Sequence, residues 1–417
     1  MHAVEKILAR AGGVATASAG DIVEARVDVA MLNERQGPRV ADSFREHGFH
    51  RVRIPEKVVV VFDHCVSPTR AEAATKQKAF REFLAEHSIS AGYSVGEGVE
   101  HQVLLDGGHA LPGEVLVGTD SHTVTSGACG GAATGIGQTE MVAVLVTGQL
   151  WLRVPEFVRV DFSGTLPPGV MAKDVVLEMI RLLGTRGALY RGLEFAGPAI
   201  GSLSMDDRAT LCNASVEVGA KFGFVEPDDV TLAYLKGRAR RAFTPEHTDP
   251  DYQYAEVHRI DLSAIEPLVA LPHNVDRGVP VARAAGTPID QAVIGSCAGG
   301  RLTDLRAAAA VLRGRKVHPR VRMIVTPGSR EIYLRALEEG VLATLVEAGA
   351  SVNPPRCGPC GSSMDGVLAP GERAVINTTR NFRGRMGPDA ELYLASAATV
   401  AASAVEGAIA DPRAYLQ

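Results

Sequence analysis

The stretch QAVIGSCAGGRLTDLRAA, residues 291–308, decides the fold. QAVI has the character of a short buried strand, a glycine-rich loop follows it, and the next residues form a helix whose first turn contains Thr303 or Asp304. Strand, glycine loop and helix in this order are typical of parallel α/β sheets, which bind ligands beside the carboxyl ends of their strands. Cys297 lies at that place, so the stretch also indicates a functional site.

The same order recurs along the chain. Apolar runs end in polar residues in PEKVVVVFDHCVSP (55–68) and in GEVLVGTDSH (113–122), and helical segments follow. This repetition predicts an α/β protein. The 417 residues exceed the ~250–300 that one hydrophobic core supports, so several domains are expected. Changes of composition near Pro155 and in the Pro- and Gly-rich stretch before residue 284 predict domains at 1–155, 156–283 and 284–417.

Composition excludes several classes of function. A net charge of −5 leaves no basic footprint for nucleic acid or for an anionic membrane. No apolar run approaches the ~20 residues of a membrane span, and the amino-terminal residues lack the apolar core of a signal peptide. The sequence therefore predicts a cytoplasmic protein that binds neither nucleic acid nor membrane.

Six cysteines are present, and they do not form the pattern of a secreted disulfide framework. Three of them are expected in the core as small apolar residues: Cys65, Cys129 and Cys212. The other three lie in glycine-rich loops: Cys297, Cys357 and Cys360.

The loop cysteines allow three interpretations. CGPC at 357–360 matches a thioredoxin motif, but it lies late in the chain rather than early in a small βαβ unit. Three thiolates are one short of the four that hold an ordinary [4Fe–4S] cluster, which can leave one iron open to substrate as a Lewis acid. Zinc held by three thiolates and a histidine, and a thiol-redox role, stay open as alternatives.

Carboxylates stand beside imidazoles at two predicted strand ends. Asp63 precedes His64, Asp120 lies two residues before His122, and His101 lies between these segments in another glycine-flanked loop. A carboxylate can orient an imidazole and raise its pKa, which builds an acid–base group. One such histidine is more often a structural residue, whereas three within sixty residues favour catalysis. Further along, Arg380 and Arg385 lie beside glycine in TTRNFRGRMG (378–387), where they suit carboxylate binding or a solvated loop.

Together these segments resemble the aconitase superfamily, and within it the large subunits of 3-isopropylmalate dehydratase and homoaconitase. The resemblance spans nearly the whole chain. Its most specific segments are VDVAMLNERQGP (27–38), PEKVVVVFDHCVSP, GVEHQVLL (98–105), the run from Ala110 to Val142, LSMDDRATLCNASVEVGAK (203–221), IDQAVIGSCAGGRLTDLRAA, CGPC and GERAVINTTRNFRGRMG.

The resemblance implies a three-domain α/β/α body around a [4Fe–4S] cluster. It implies the cluster ligands Cys297, Cys357 and Cys360. It implies that Asp63 and His64 transfer the proton to the departing hydroxyl, with further catalytic residues His101, Asp120, His122 and Glu217. It implies the substrate contacts Asn33, Ser121, Asn213, Arg380 and Arg385.

Relatives that act alone carry a further swivelling domain, which this sequence does not include, so the resemblance implies a partner small subunit that carries it. Two segments depart from the family pattern. GSCAGGR has Ala298 and Gly299 in place of threonine and asparagine, and Thr379 stands where asparagine is usual. Both changes are expected to remove polar groups from the neighbourhood of the cluster.

The expected activity is that of a hydro-lyase that isomerises a 2-hydroxy di- or tricarboxylic acid by dehydration and rehydration. The default is 3-isopropylmalate dehydratase of leucine biosynthesis. Homoaconitate, citramalate or dimethylmalate chemistry, or a paralogue of a secondary pathway, are the alternatives within this class. A zinc-thiolate or thiol-redox protein without lyase activity is the alternative from another class.

Overall fold

The computed structural model describes residues 1–361 and 365–416. The strands in these ranges are β1 (Ile22–Arg26), β2 (Val29–Asn33), β3 (Val58–Val61), β4 (Ala91–Tyr93), β5 (Val115–Gly118), β6 (Ala132–Gly135), β7 (Gln149–Arg153), β8 (Phe157–Ser163), β9 (Gly192–Ala196), β10 (Phe222–Val225), β11 (Glu256–Asp261), β12 (Leu268–Ala270), β13 (Gly278–Pro280), β14 (Gln291–Ile294), β15 (Arg322–Val325), β16 (Ser351–Val352), β17 (Arg373–Ile376) and β18 (Glu391–Ala395).

The α-helices of the same ranges are α1 (Ala3–Gly12), α2 (Gly37–Glu46), α3 (Ala71–Glu86), α4 (Glu100–Asp106), α5 (Gln138–Thr147), α6 (Ala172–Leu183), α7 (Met205–Ala214), α8 (Asp229–Leu235), α9 (Ser296–Gly299), α10 (Leu302–Leu312), α11 (Arg330–Glu338), α12 (Val341–Ala348) and α13 (Ala397–Glu406). Short 3₁₀ helices connect them, and two of these matter for the site: Ser121–Cys129 and Ser215–Val218. None of the helices in the described ranges has the length and apolar character that crossing a membrane requires.

The first large sheet has the strand order β4-β3-β2-β5-β6, and all its pairs are parallel. Its inner strands are apolar and buried on both faces, as in VVVV at 58–61, because helices cover both sides. The chain winds outward from β2 through β3 to β4, and then resumes on the other side with β5. Such a switch point opens a crevice at the strand ends. Asn33 ends β2 and Asp120 follows β5, so both lie at this crevice.

The seven-stranded sheet, formed by residues 268–395, repeats the arrangement. Its order is β13-β12-β18-β17-β14-β15-β16, and β14 pairs in parallel with both β15 and β17. The switch point therefore lies between β14 and β17. Cys297 follows β14 within α9, and Thr379 and Arg380 follow β17. The backbone N–H of Cys357 donates to the carbonyl of Asp63 at 2.9 Å, which joins the loop after β16 to the loop after β3.

The third large sheet is parallel and four-stranded, with the order β10-β9-β8-β11. Its helix α7 packs against the 3₁₀ helix Ser121–Cys129. The same 3₁₀ helix approaches β10 closely at Gly127, where an added Cβ would lie 1.7 Å from the carbonyl oxygen of Gly223. Any side chain at position 127 would therefore push the 3₁₀ helix away from β10.

The predicted α/β class and the strand–loop–helix order are confirmed. The expected domain boundaries stay a prediction. The seven-stranded sheet takes in β12 and β13, which precede the expected boundary at 284, and the last expected domain includes residues 362–364 and 417, outside the described ranges.

Candidate active site

The two switch points enclose one cavity. Ten of the fourteen predicted site residues line it: His64, His101, Asp120, Ser121, His122, Cys297, Cys357, Cys360, Arg380 and Arg385. The other four lie behind this wall and hydrogen-bond to residues that form it or stand beside it: Asn33, Asp63, Asn213 and Glu217. Four further lining residues were not predicted as site residues: Arg35, Val99, Glu100 and Thr379.

The three loop thiols converge, together with Val99, in one small buried cluster. Arg385 donates from Nη2 to the sulfur of Cys360 at 3.0 Å, and the Thr379 hydroxyl lies 3.7 Å from the same sulfur. The hydrogen bond from Cys357 and the charge of Arg385 hold the pKa of the Cys360 thiol well below its ordinary value. Burial raises the pKa of the Cys297 thiol instead. The cluster is thus arranged to stabilise thiolate charge at Cys360.

The remaining cysteines lie elsewhere. Cys129 and Cys212 are fully buried among apolar residues, as expected, and burial raises the pKa of both thiols. The expectation for Cys65 is only partly correct, because this residue is half-buried. It lines a second, neighbouring cavity together with His64 and Arg70.

Asp63 and His64 form a tight pair. The Nδ1 of His64 lies 2.6 Å from a carboxylate oxygen of Asp63, and both side chains are almost completely buried. Burial alone would lower the pKa of His64, but the charge of Asp63 and its hydrogen bond to the ring outweigh burial and raise that pKa well above its usual value. Glu34 fixes the turn by accepting from the backbone N–H groups of Asp63 at 2.9 Å and His64 at 2.8 Å.

A second network runs from one wall of the cavity to the other. His101 Nε2 lies 3.0 Å from Asp120, whose carboxylate also accepts from the backbone N–H of His122 at 2.8 Å. His122 Nε2 lies 2.9 Å from Glu217, and Arg380 donates from Nε to both oxygens of Glu217 at 2.8 and 3.0 Å. Burial would lower the pKa of His122, but its bonds with Asp120 and Glu217 raise it.

Two predicted substrate contacts are occupied by internal partners. Asn33 is buried, and its amide nitrogen donates to both carboxyl oxygens of Glu100, at 3.0 and 3.2 Å. Asn213 is also buried, and its amide donates to Thr125 at 3.0 Å. Both side chains support the wall of the cavity in this structure.

Lys173, at the start of α6, was also missed. Its side chain is buried, and its ammonium donates to the carbonyl of Thr378 at 2.7 Å, just beside Thr379. Burial lowers the pKa of Lys173 to about 8, although Glu217 and Asp304 oppose this. Only weak signals in the sequence pointed to the missed charged residues. Arg35 and Glu100 lie close to a predicted site residue, in NER (33–35) and VEH (99–101), and Lys173 lies at the start of an apolar helix.

Buried thiols facing three histidines that are each held by a carboxylate, at the switch points of one parallel and one mixed sheet, define an α/β protein with a thiolate-lined acid–base centre. The chain belongs to the aconitase family: the family model for aconitase (aconitate hydratase) matches residues 5–288 and 282–407. This confirms the predicted family.

Curated relatives match over almost their full length. A 3-isopropylmalate dehydratase large subunit of Methanopyrus kandleri is 52% identical over 99% of both chains. A probable 3-isopropylmalate dehydratase large subunit of Methanothermobacter thermautotrophicus is 51% identical over 99% of both chains. A probable methanogen homoaconitase large subunit of the same organism is 47% identical, over 99% of this chain and 98% of its own.

Proposed function

We propose that this chain is the large, cluster-bearing subunit of an iron–sulfur hydro-lyase that isomerises a 2-hydroxy dicarboxylic acid, with 3-isopropylmalate as the substrate. The convergence of three buried thiols on a cavity lined by His64, His101 and His122 carries this proposal. The names of the relatives from Methanopyrus kandleri and Methanothermobacter thermautotrophicus that are 52% and 51% identical support the choice of substrate. The homoaconitase relative supports a longer tricarboxylic substrate as the second candidate.

The residues present fit a [4Fe–4S] cluster. Cys297, Cys357 and Cys360 would hold it, and no fourth thiol lines the cavity in the part of the chain described. Arg385 already stabilises sulfur charge, while its Nε is buried with no hydrogen-bond partner among the described residues. When bound, such a cluster supplies a Lewis-acid iron with one open coordination position, which suits the removal of hydroxide from a hydroxy acid.

The proton for the departing hydroxyl comes from His64. Because Asp63 binds the Nδ1 side of the ring, Nε2 is the nitrogen that can donate. The raised pKa keeps His64 protonated near neutral pH, as a general acid requires. His101 and His122, each held by a carboxylate, orient the water that is released and later re-added.

Arginines bind the carboxylates of the substrate. Arg380 and Arg385 line the cavity but are partly committed to Glu217 and Cys360. Arg35 also lines the cavity and is exposed. Asn33 fixes its backbone by accepting from the N–H of Arg35 at 3.1 Å. Arg35 therefore offers an accessible guanidinium for a substrate carboxylate.

The partner is a small subunit that carries the swivelling domain and completes the substrate pocket, because the relatives are themselves named large subunits. We place the protein in the cytoplasm, because the proposed substrate assigns it to leucine biosynthesis, which takes place there. The division into domains at 1–155, 156–283 and 284–417 stays part of this proposal, with β12 and β13 completing the sheet of the last domain.

Anaerobic purification tests the cluster. A brown protein with about four irons per chain is expected, and Cys297→Ser should lose them. Cys129→Ala is the matched control, since this cysteine is equally buried but outside the cavity, and it should keep its iron. Stoichiometric zinc without visible absorbance would instead establish the zinc-thiolate alternative. With its small subunit, the protein should turn over 3-isopropylmalate faster than homocitrate; the reverse preference would assign the second candidate.

A further inference from the structure

Glu100 is an acid in the wall of the cavity that neither the sequence motifs nor the mechanism above accounts for. It is the first residue of α4 and is completely buried. Asn33 donates to both of its carboxyl oxygens, and its own backbone N–H donates to Asp63 at 2.8 Å. Two neighbouring groups therefore hold the carboxyl at one position.

That position lies between the two acid–base pairs of the site. One Glu100 oxygen is 3.8 Å from Nε2 of His101. A carboxyl oxygen of Glu100, a ring nitrogen of His64 and a carboxylate oxygen of Asp120 all lie within 4.8 Å of one another. One water molecule, or a small side-chain rotation, spans separations of this size. Glu100 thus connects the His64–Asp63 pair with the His101–Asp120 pair.

The surroundings favour the neutral form of this carboxyl. Asp63 faces it from the loop after β3, and Asp120 faces it from the loop after β5. Both carboxylates disfavour a third negative charge, and complete burial removes the solvation that would stabilise it. His64 and Asn33 oppose these effects but do not outweigh them, so the pKa of Glu100 is raised well above its usual value.

We propose that Glu100 is a proton-holding and positioning residue that acts through His64 and joins the two pairs into one unit. This inference rests on the proposed hydro-lyase function. When the C–O bond of the substrate breaks, His64 gives its proton to the departing hydroxyl, and water forms. The O–H proton of Glu100 then passes to His64, which leaves Glu100 as a carboxylate. When water adds back to the unsaturated intermediate, its proton passes to His64, and the proton of His64 returns to Glu100. Over the dehydration the net change is one proton moved from Glu100 to the departing hydroxyl.

The alternative is that Glu100 only braces Asn33. Glu100→Gln separates the two roles, because glutamine keeps the size and a polar contact for Asn33 but cannot release a proton to His64. Asp106→Asn is the matched control. Asp106 ends the same helix, burial also raises its pKa, and its hydrogen bonds go to Ser329 and Tyr234 outside the cavity.

Infrared spectroscopy of the full chain at neutral pH gives the first readout. In the difference spectrum of wild type minus Glu100→Gln, a carboxylic-acid carbonyl band that shifts in D₂O should be present, and the spectrum of Asp106→Asn minus Glu100→Gln should contain the same band. Glu100→Ala serves for the assignment if the glutamine variant does not accumulate. The absence of this difference band with both Glu100 variants would overturn the proposal.

Kinetics of the complex with its small subunit give the second readout. Glu100→Gln should lower kcat about tenfold or more with little change in KM, and should shift the pH profile of kcat, as expected when a proton carrier is lost. Asp106→Asn should keep the wild-type pH profile. A wild-type kcat and pH profile in Glu100→Gln would show that Glu100 only holds Asn33 in place. If the wild-type complex turns over no hydroxy acid, the proposed function fails, while the infrared band still decides whether Glu100 holds a proton.

Discussion

Replacement of Arg208 by methionine should loosen the helix that leads to Glu217. Arg208 is fully buried in α7, and its guanidinium makes a bidentate pair with Asp228, with both distances at 2.6 Å. It also donates to the carbonyls of Leu203 at 3.2 Å and Ile200 at 2.9 Å. Methionine fills much of the same volume but removes all the hydrogen bonds that the guanidinium makes.

The size of the effect follows from these contacts. Removal of one partner of a buried ion pair costs about 3–5 kcal/mol. The Asp228 side chain is 35% exposed, so water can solvate it once Arg208 is gone. We therefore expect a loss near the lower limit, about 3 kcal/mol, or roughly a hundredfold in the equilibrium for local opening. Arg181→Met on α6 is the control, because Arg181 forms an exposed pair with Glu178 that should contribute about 1 kcal/mol or less.

Hydrogen exchange measured by mass spectrometry locates the loss. Protection of the backbone amides should fall in α7, which contains Arg208, and in α8, which begins directly after Asp228. The amides of the first sheet should stay protected. The double variant Arg208→Met/Asp228→Asn should lose clearly less than the sum of the two single variants, since each single change already breaks the pair. A loss below about 1 kcal/mol, or strict additivity, would refute the buried-pair argument.

The pH dependence has a defined sign. Burial would raise the pKa of Asp228, but the hydrogen bonds from Arg208 lower it. A depressed carboxyl pKa stabilises the fold above the unfolded pKa, near ~4, and that stabilisation disappears as the pH falls through the folded value. The difference between wild type and Arg208→Met should therefore be full at neutral pH and shrink below about pH 4.

Three further changes test the site. Glu217→Gln replaces a charge-assisted hydrogen bond to His122, worth about 1.5 kcal/mol or more, so the pKa of His122 should fall and shift the pH profile of kcat. Lys173→Met removes a buried cation beside the thiols, and iron retention against a chelator should weaken about tenfold. Arg35→Ala should raise KM about tenfold or more while kcat changes little, if Arg35 binds a substrate carboxylate.

Each change has a control and a contradicting outcome. Glu178→Gln, at an exposed ion pair, should leave the pH profile unchanged, and an unshifted profile in the Glu217 variant would contradict the coupling. Lys221→Met removes a partly buried lysine that donates to a carbonyl outside the cavity, and it should keep iron as the wild type does. Arg39→Ala, on the exposed face of α2, should leave KM unchanged; an equal effect in both arginine variants would exclude a specific role for Arg35.

Much of the site could be predicted because parallel sheets place the ends of their strands together. Once strands were expected before Asp63, Asp120 and Cys297, the topology implied that their loops meet at crevices. The strand order itself was not predictable from the sequence, so the contact between Cys357 and Asp63 became visible only in the structure. The periodicity of the apolar runs carries local information, whereas the pairing of two sheets depends on long-range packing.

The missed residues share a physical reason. Glu100 and Lys173 owe their roles to burial beside partners that are distant in the sequence: Asp120 for the first and Thr378 for the second. In the sequence each is a charged residue at the start of a helix, where a solvated position is the usual outcome. Nothing in the local pattern distinguishes a buried charge from an exposed one, because the difference lies in the surrounding elements.

The departures from the family pattern relocate polar groups rather than remove them, so the expectation of a less polar neighbourhood is corrected. A Cβ at Gly299 would lie 2.0 Å from the carbonyl oxygen of Asn377 and 2.4 Å from its side chain, so Asn377 occupies the space that a side chain at 299 would need. The Asn377 amide donates to Asp304 at 3.1 Å, and its Oδ1 is buried without a partner among the described residues. Thr379 keeps a hydroxyl 3.7 Å from the Cys360 sulfur. Gly299 thus fits closely against residue 377, and a larger residue at 299 requires both the backbone and the side chain at 377 to move.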